Sequence, residues 1–245
     1  MDWREHLRTH GYAHFPGLVP EPLVAAALKA VERDLLESYD PSRQLEYDNR
    51  SYCPDLLGTP PVMNLLEASP ARALLDEVFG AGNVEWDKGQ IAIRRAHNHP
   101  EPVAPEPHID GFASGLNGLE GGKIYTLTAL VGVFLTPVTR PFAGNYTVWP
   151  GSHHAYERYF RERGERAMRE PMPTPEMGPP VQLMCGVGDA VLVHYQLAHT
   201  AAVNTSDSDR IAVYFRLWLR GLEGRRWHHL TNMWDGWNIH PAGGS

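Results

Sequence analysis

The hydrophobic pattern of this chain changes period once. Up to about residue 83 the apolar positions recur at helical spacing, and beyond it they form short β-rich runs. Pro22 opens a helix expected to run to about Leu36, because a proline in the first turn gives up an N–H that has no partner there anyway. Two more helices are predicted over 61–66 and 70–79. The second has Ser69 as its cap and Gly80 as its stop. From Val84 the predicted strands are 84–95, 124–134, 146–149, 181–184, 190–195 and 210–219, separated by Gly, Pro, Asn and Asp. A helical insertion is expected over 152–169 and a loop over the proline-rich stretch 171–180, read as a stiff connector.

Many short strands behind a helical segment predict a mainly β fold with flanking helices, built on a jelly roll. The whole chain, 1–245, reads as one domain. Residues 1–83 are mostly helical, 84–220 form the β core, and 221–245 are a Trp- and His-rich tail whose last residues are expected to be disordered.

Composition narrows the functions. The chain is 42% hydrophobic, enough for a sizeable core. Its net charge of -7 argues against nucleic acid as a partner. Within 158–169 arginines alternate with glutamates, which reads as a solvated, ion-paired helix face. Two cysteines, Cys53 and Cys185, form no framework. With no apolar leader and no membrane-length run, they give the expectation of a cytoplasmic protein.

The candidate chemistry lies in a split trio. In an extended segment residues i and i+2 project together, so His108 and Asp110 can reach one metal, with a third ligand from another strand. Among 13 histidines a lone His-x-Asp carries little weight. His199, downstream, completes two imidazoles and one carboxylate, the facial set of non-haem Fe(II) oxygenases.

The wider motif set resembles the phytanoyl-CoA dioxygenase (PhyH-like) family of Fe(II)/2-oxoglutarate oxygenases. It comprises His108-Ile109-Asp110, Pro150-Gly151-Ser152-His153, Gly188-Asp189, His199, Asn204-Thr205-Ser206 and Arg210, with an opening at Gly11-Tyr12 and Pro16-Gly17-Leu18-Val19. The resemblance spans roughly residues 5–220. It implies a cupin-like double-stranded β-helix core, Fe(II) held by His108, Asp110 and His199, and 2-oxoglutarate whose far carboxylate meets Arg210. His194 competes as third ligand, but only His199 lies eleven residues before an arginine. Gln90 and Thr126 are further co-substrate candidates, each weighed against an ordinary strand role, and Arg94 shares the face of Gln90. His153 and His154 read as helix-start residues, Trp149 as core, and His97, His99, His228, His229 and His240 as surface or loop residues.

The implied reaction is hydroxylation of an unactivated C–H bond of a small metabolite or natural-product intermediate, using O2 and releasing succinate and CO2. An aspartate at position 110 argues against halogenation. The polar stretch 96–107 and the glycine-rich stretch 111–118 depart from the family pattern and leave acyl-CoA specificity unsupported. The alternatives are a cupin-type isomerase or hydrolase that ignores 2-oxoglutarate, and a binding protein on the same fold.

Overall fold

The computed structural model describes residues 2–113, 115–121 and 123–239. His240 and the Gly-Gly-Ser end lie outside them. In chain order the elements are α1 (Trp3–His10), β1 (Tyr12–Phe15), α2 (Glu21–Ser38), α3 (Gln44–Asn49), α4 (Pro60–Glu67), α5 (Ala71–Phe79), β2 (Val84–Glu85) and β3 (Gly89–Arg94). There follow β4 (Ala129–Phe134), β5 (Tyr146–Val148), α6 (Ser152–Arg163), β6 (Val181–Gln182), β7 (Ala190–His194), β8 (His199–Ala201), β9 (Arg210–Leu219) and α7 (Arg226–Thr231).

Two antiparallel sheets face each other. The larger runs β1-β7-β4-β9-β2, with β3 also on β9, and the smaller runs β6-β5-β8. The mainly β architecture with flanking helices agrees with the jelly-roll expectation, but the sheets do not close into a barrel. β1 comes from the segment read as mostly helical, and it lies along β7 with Tyr12 opposite Val193.

Strand alternation explains why the larger sheet has two different faces. Ile211, Val213, Phe215 and Leu217 of β9 join Ile91, Ile93, Val131 and Leu192 against the helices. Each strand residue turns its neighbour the other way. Ala212 and Tyr214 therefore join Leu130, Phe134 and Val193 in the layer between the sheets. Gly132 makes room there, since a Cβ would lie 2.7 Å from the Tyr214 ring.

Several boundaries move. The run 124–134 pairs only from Ala129, and the backbone of 124–128 is irregular. The run 181–184 is a strand for two residues. The insertion 152–169 is α-helical to Arg163 and then tightens to a 3₁₀ turn. Ser69 does accept from the Ala71 N–H and donate to the Leu65 carbonyl. Arg161 pairs with Glu157 and Arg163 with Glu170, as the charge alternation implied. Both cysteines are buried and free. No helix among the described residues is long and apolar enough to cross a membrane.

Candidate active site

His199 opens β8 at the edge of the smaller sheet. The segment carrying His108 joins it by a two-way bridge: the His108 N–H donates to the His199 carbonyl at 3.0 Å, and the His199 N–H returns at 2.8 Å. This pairing puts the two rings 4.6 Å apart between centroids. Asp110, two residues on, projects to the same side. One ligand atom from each of His108, Asp110 and His199 lies within 4.8 Å of the others.

The hydrogen bonding prepares His199 for a cation. Its Nδ1 lies 2.9 Å from the Leu197 carbonyl. A carbonyl only accepts, so Nδ1 carries the proton and Nε2 keeps its lone pair. That Nε2 lies 3.8 Å from Asp110 Oδ1. Burial would push the Asp110 carboxyl up, but Arg216 and the two imidazoles outweigh it and hold the group down at about 2. It is a carboxylate at neutral pH. His108 is an exposed residue, yet lost hydration around the ring and the neighbouring His199 lower it to about 4, so it is neutral. Neutral imidazoles and an ionised carboxylate are the protonation states a divalent metal requires.

Arg210 is 2% exposed on the same face of β9 as Tyr214. Its Nε donates to the Gly144 carbonyl at 2.7 Å and one terminal nitrogen to the Ala92 carbonyl at 3.0 Å. Gly144, at φ 74°, permits this approach, since a Cβ would meet Arg94 at 2.7 Å and Arg210 at 3.1 Å. Among the described residues no carboxylate lies within ion-pair distance of Arg210. A buried cation without an anion is costly, and the guanidinium stays charged even though burial lowers its pKa.

Between the trio and Arg210 run two rings. Tyr146 stacks on His199 at 5.3 Å and meets Tyr214 at 5.4 Å, and the Arg210 guanidinium lies 6.0 Å from the Tyr214 ring. The hydroxyls of Tyr146 and Tyr214 are buried without a partner, as is that of Thr126. These orphaned polar atoms, the unpaired cation and the His/His/Asp donor set fit a divalent metal with an anionic oxygen-rich ligand.

Other expected residues have different roles. Gln90 accepts from Arg216 at 2.7 Å and donates to the Arg50 carbonyl. Thr128 accepts the Leu219 N–H. Trp149 is core. His194 does not join the trio: its Nε2 meets the Met233 carbonyl and its Nδ1 accepts the Gln196 N–H. His153 caps nothing at its own helix; it reaches the Arg8 carbonyl. His229 is buried rather than at the surface, because α7 lays it beside Asp235. Tyr146, Tyr214 and Arg216 escaped sequence reading. The last two were detectable, since Arg210, Ala212, Tyr214 and Arg216 alternate onto one face.

Residues 119–212 match the family model described as phytanoyl-CoA dioxygenase (PhyH). The match contains His199 and Arg210 and stops short of His108 and Asp110. It bears out the family resemblance carried by the motifs. No curated protein matches the chain in sequence. Among solved structures the chain is similar to the non-heme alpha ketoglutarate dependent epimerase SnoN from nogalamycin biosynthesis. The identity is 21%, over 88% of this chain and 79% of that one, with a TM-score of 0.59. It is similar to HygX from Streptomyces hygroscopicus, solved with nickel and 2-oxoglutarate, at 18% identity over 90% and 87% and a TM-score of 0.58. It is also similar to the non-heme monooxygenase ThoJ, at 18% over 89% and 77% and a TM-score of 0.59. At such identities the likeness establishes the fold.

Proposed function

We propose that this chain, with its PhyH-type core, is an Fe(II)- and 2-oxoglutarate-dependent oxygenase that hydroxylates a C–H bond of a small metabolite or natural-product intermediate. The observation that carries the reading is the pairing of a metal-ready His108/Asp110/His199 trio with a buried arginine that lacks an anion. A cupin-type isomerase or hydrolase needs the first and has no use for the second.

In this reading His108, Asp110 and His199 hold Fe(II), and Arg210 receives the far carboxylate of 2-oxoglutarate. The guanidinium fork suits a carboxylate because it can donate two parallel hydrogen bonds, and the contact contributes about 1.5–3 kcal/mol. The Tyr214 and Thr126 hydroxyls become donors to co-substrate oxygens. Bound iron and 2-oxoglutarate would supply oxygen activation, with succinate and CO2 released. The protein's part is to orient the reactants and exclude water. Tyr146, flat against His199, keeps that ring from turning. HygX has also been solved with hygromycin B, and SnoN with a nogalamycin compound, which supports a natural-product-like substrate. The solved relatives include an epimerase and a carbocyclase, so hydroxylation is the part of the reading that product analysis must test.

The test is an anaerobic titration of metal-free protein with Fe(II) and 2-oxoglutarate, followed in the visible charge-transfer band of the chelate. A weak band that needs both additions and disappears in His199→Ala is the expected result. Iron binding without a band would return the protein to the cupin-type alternative.

A further inference from the structure

We propose that Arg216 is a positioning residue that clamps one oxygen of Asp110 and leaves the other for the metal. The inference rests on the Fe(II)/2-oxoglutarate reading above. Arg216 and Gln90, which form the clamp on Asp110, are residues that reading did not use. Arg216 Nε donates to Asp110 Oδ2 at 3.0 Å, and a terminal nitrogen donates to Gln90 Oε1 at 2.7 Å. Gln90 is held in turn by the Arg50 carbonyl. The carboxylate is therefore tied, through two side chains, to the Arg50 backbone at the end of α3.

Asp110 needs such a clamp. It lies outside the named strands, preceded by the isolated His108–His199 bridge and by the Ile109 N–H on Met172 Sδ at 3.3 Å. On the other side Gly111 has φ 95°, where its carbonyl accepts the Tyr125 N–H at 2.8 Å. No ladder fixes the Asp110 side chain. With Oδ2 on Arg216, Oδ1 is the oxygen that faces His199 Nε2. A carboxylate free at both oxygens can chelate a metal through both and occupy a position that the co-substrate or oxygen requires. Taking one oxygen away by a charge-assisted bond keeps that position open. Strand β9 thereby supplies two cations to the site, Arg210 and, six residues on and beside the metal ligand, Arg216.

The test compares full-length wild type with Arg216→Gln and Arg216→Lys. Each is titrated anaerobically with Fe(II) at saturating 2-oxoglutarate, with circular dichroism reporting the fold. Loss of an outer residue that orients a metal ligand lowers metal affinity about 10- to 100-fold, and that loss is expected for Arg216→Gln. Lysine should restore part of it, and 2-oxoglutarate affinity at saturating iron should match wild type. Gln90→Met removes only the far anchor and should weaken iron binding in the same direction by less. It decides the matter if Arg216→Gln does not fold. Wild-type iron affinity in the folded variant overturns the clamp alone. The absence of a band in wild type overturns the Fe(II)/2-oxoglutarate reading, and the clamp with it.

Discussion

Two of the close histidine pairs among the described residues, His108–His199 and His153–His194, differ in what their ring nitrogens are left to do. His108 and His199 gather around Asp110, with one ligand atom of each within 4.8 Å of the others. His153 and His194 lie 5.7 Å apart between centroids, against Trp234, behind the end of β7. Lost hydration lowers His108 and His194 to about 4 and His153 to about 2, so a downward shift occurs in both pairs. Desolvation therefore does not separate a ligand from a core residue here. Hydrogen bonding does. His194 spends both nitrogens on the backbone, whereas His199 spends Nδ1 and keeps Nε2 beside a carboxylate. His153 leaves Nδ1 unpaired, but it is wedged under Gly11, where a Cβ would lie only 2.7 Å from it. A shifted pKa marks burial, and a free lone pair next to a carboxylate marks a site.

Exchanging the roles of the two pairs gives the largest expected effect. His199→Ala should abolish the iron-dependent band and succinate release and should cost metal-free protein less stability than His194→Ala, since it gives up one backbone bond where His194 makes two. His194→Ala should keep the band and succinate release. Truncating a buried side chain and orphaning the Met233 carbonyl should cost about 2–4 kcal/mol, read by urea unfolding, with iron still bound. A His199→Ala protein less stable than an iron-free His194→Ala would invert the comparison.

Next in size is Arg210→Ala. Losing a charge-assisted contact of about 1.5–3 kcal/mol should weaken 2-oxoglutarate binding roughly 10- to 150-fold, while iron alone binds as in wild type. Calorimetric titration of 2-oxoglutarate into the metal-loaded protein checks this. An unchanged affinity would leave Arg210 a structural cation held by two carbonyls.

The structural pair also carries a pH dependence. Unfolded histidines titrate near pH 6.5, whereas His194 and His153 stay neutral in the fold down to about 4 and about 2. The unfolded chain therefore binds more protons, and stability falls as pH drops from about 6.5 towards 4, by up to about 1.4 kcal/mol per pH unit for each ring. His108 and His229 add in the same direction. Asp110 acts lower. Held at about 2 in the fold, it contributes fully above its unfolded value and loses that contribution as pH falls through about 2. Thermal midpoints of metal-free protein between pH 7 and 5 should fall less steeply in His194→Gln, whose amide can still bond the Met233 carbonyl. A parallel decline would remove His194 from the account.

The same contrast shows what could be read from residues alone. His108, Asp110, His199 and Arg210 were legible because spacing on extended chain dictates which side chains project together. The full extent of Arg210–Leu219 was legible because its alternation is unbroken. The roles of His153 and His229 were not, since both depend on contacts with distant segments, the Arg8 carbonyl and Asp235. The start of β4 was misplaced for a related reason. Residues 124–128 have strand-like composition, but the nearby backbone bonds out of register, with the Thr128 N–H given to the Leu217 carbonyl and the Tyr125 N–H to Gly111. Gln90 was picked as a co-substrate contact for its place on the strand, whereas its side chain meets Arg216, which went unnoticed.

The smallest effect concerns a single hydroxyl. Tyr214 is buried beside Arg210 with its oxygen unpartnered, and burial raises its pKa, so it stays a neutral donor. An unmet buried hydroxyl costs about 1–3 kcal/mol, so Tyr214→Phe should leave metal-free protein as stable as wild type or slightly more so. If that hydroxyl is held in reserve for a co-substrate oxygen, the same change should weaken 2-oxoglutarate binding by about 0.5–1.5 kcal/mol, roughly 2- to 12-fold. Opposite signs in the two experiments would show a polar group kept unsatisfied for a ligand. His194→Phe should show no such split, because both of its nitrogens are already spent on the fold. A Tyr214→Phe protein with unchanged affinity would make the hydroxyl an ordinary packing defect and would move the co-substrate's donors to Thr126 and Tyr146.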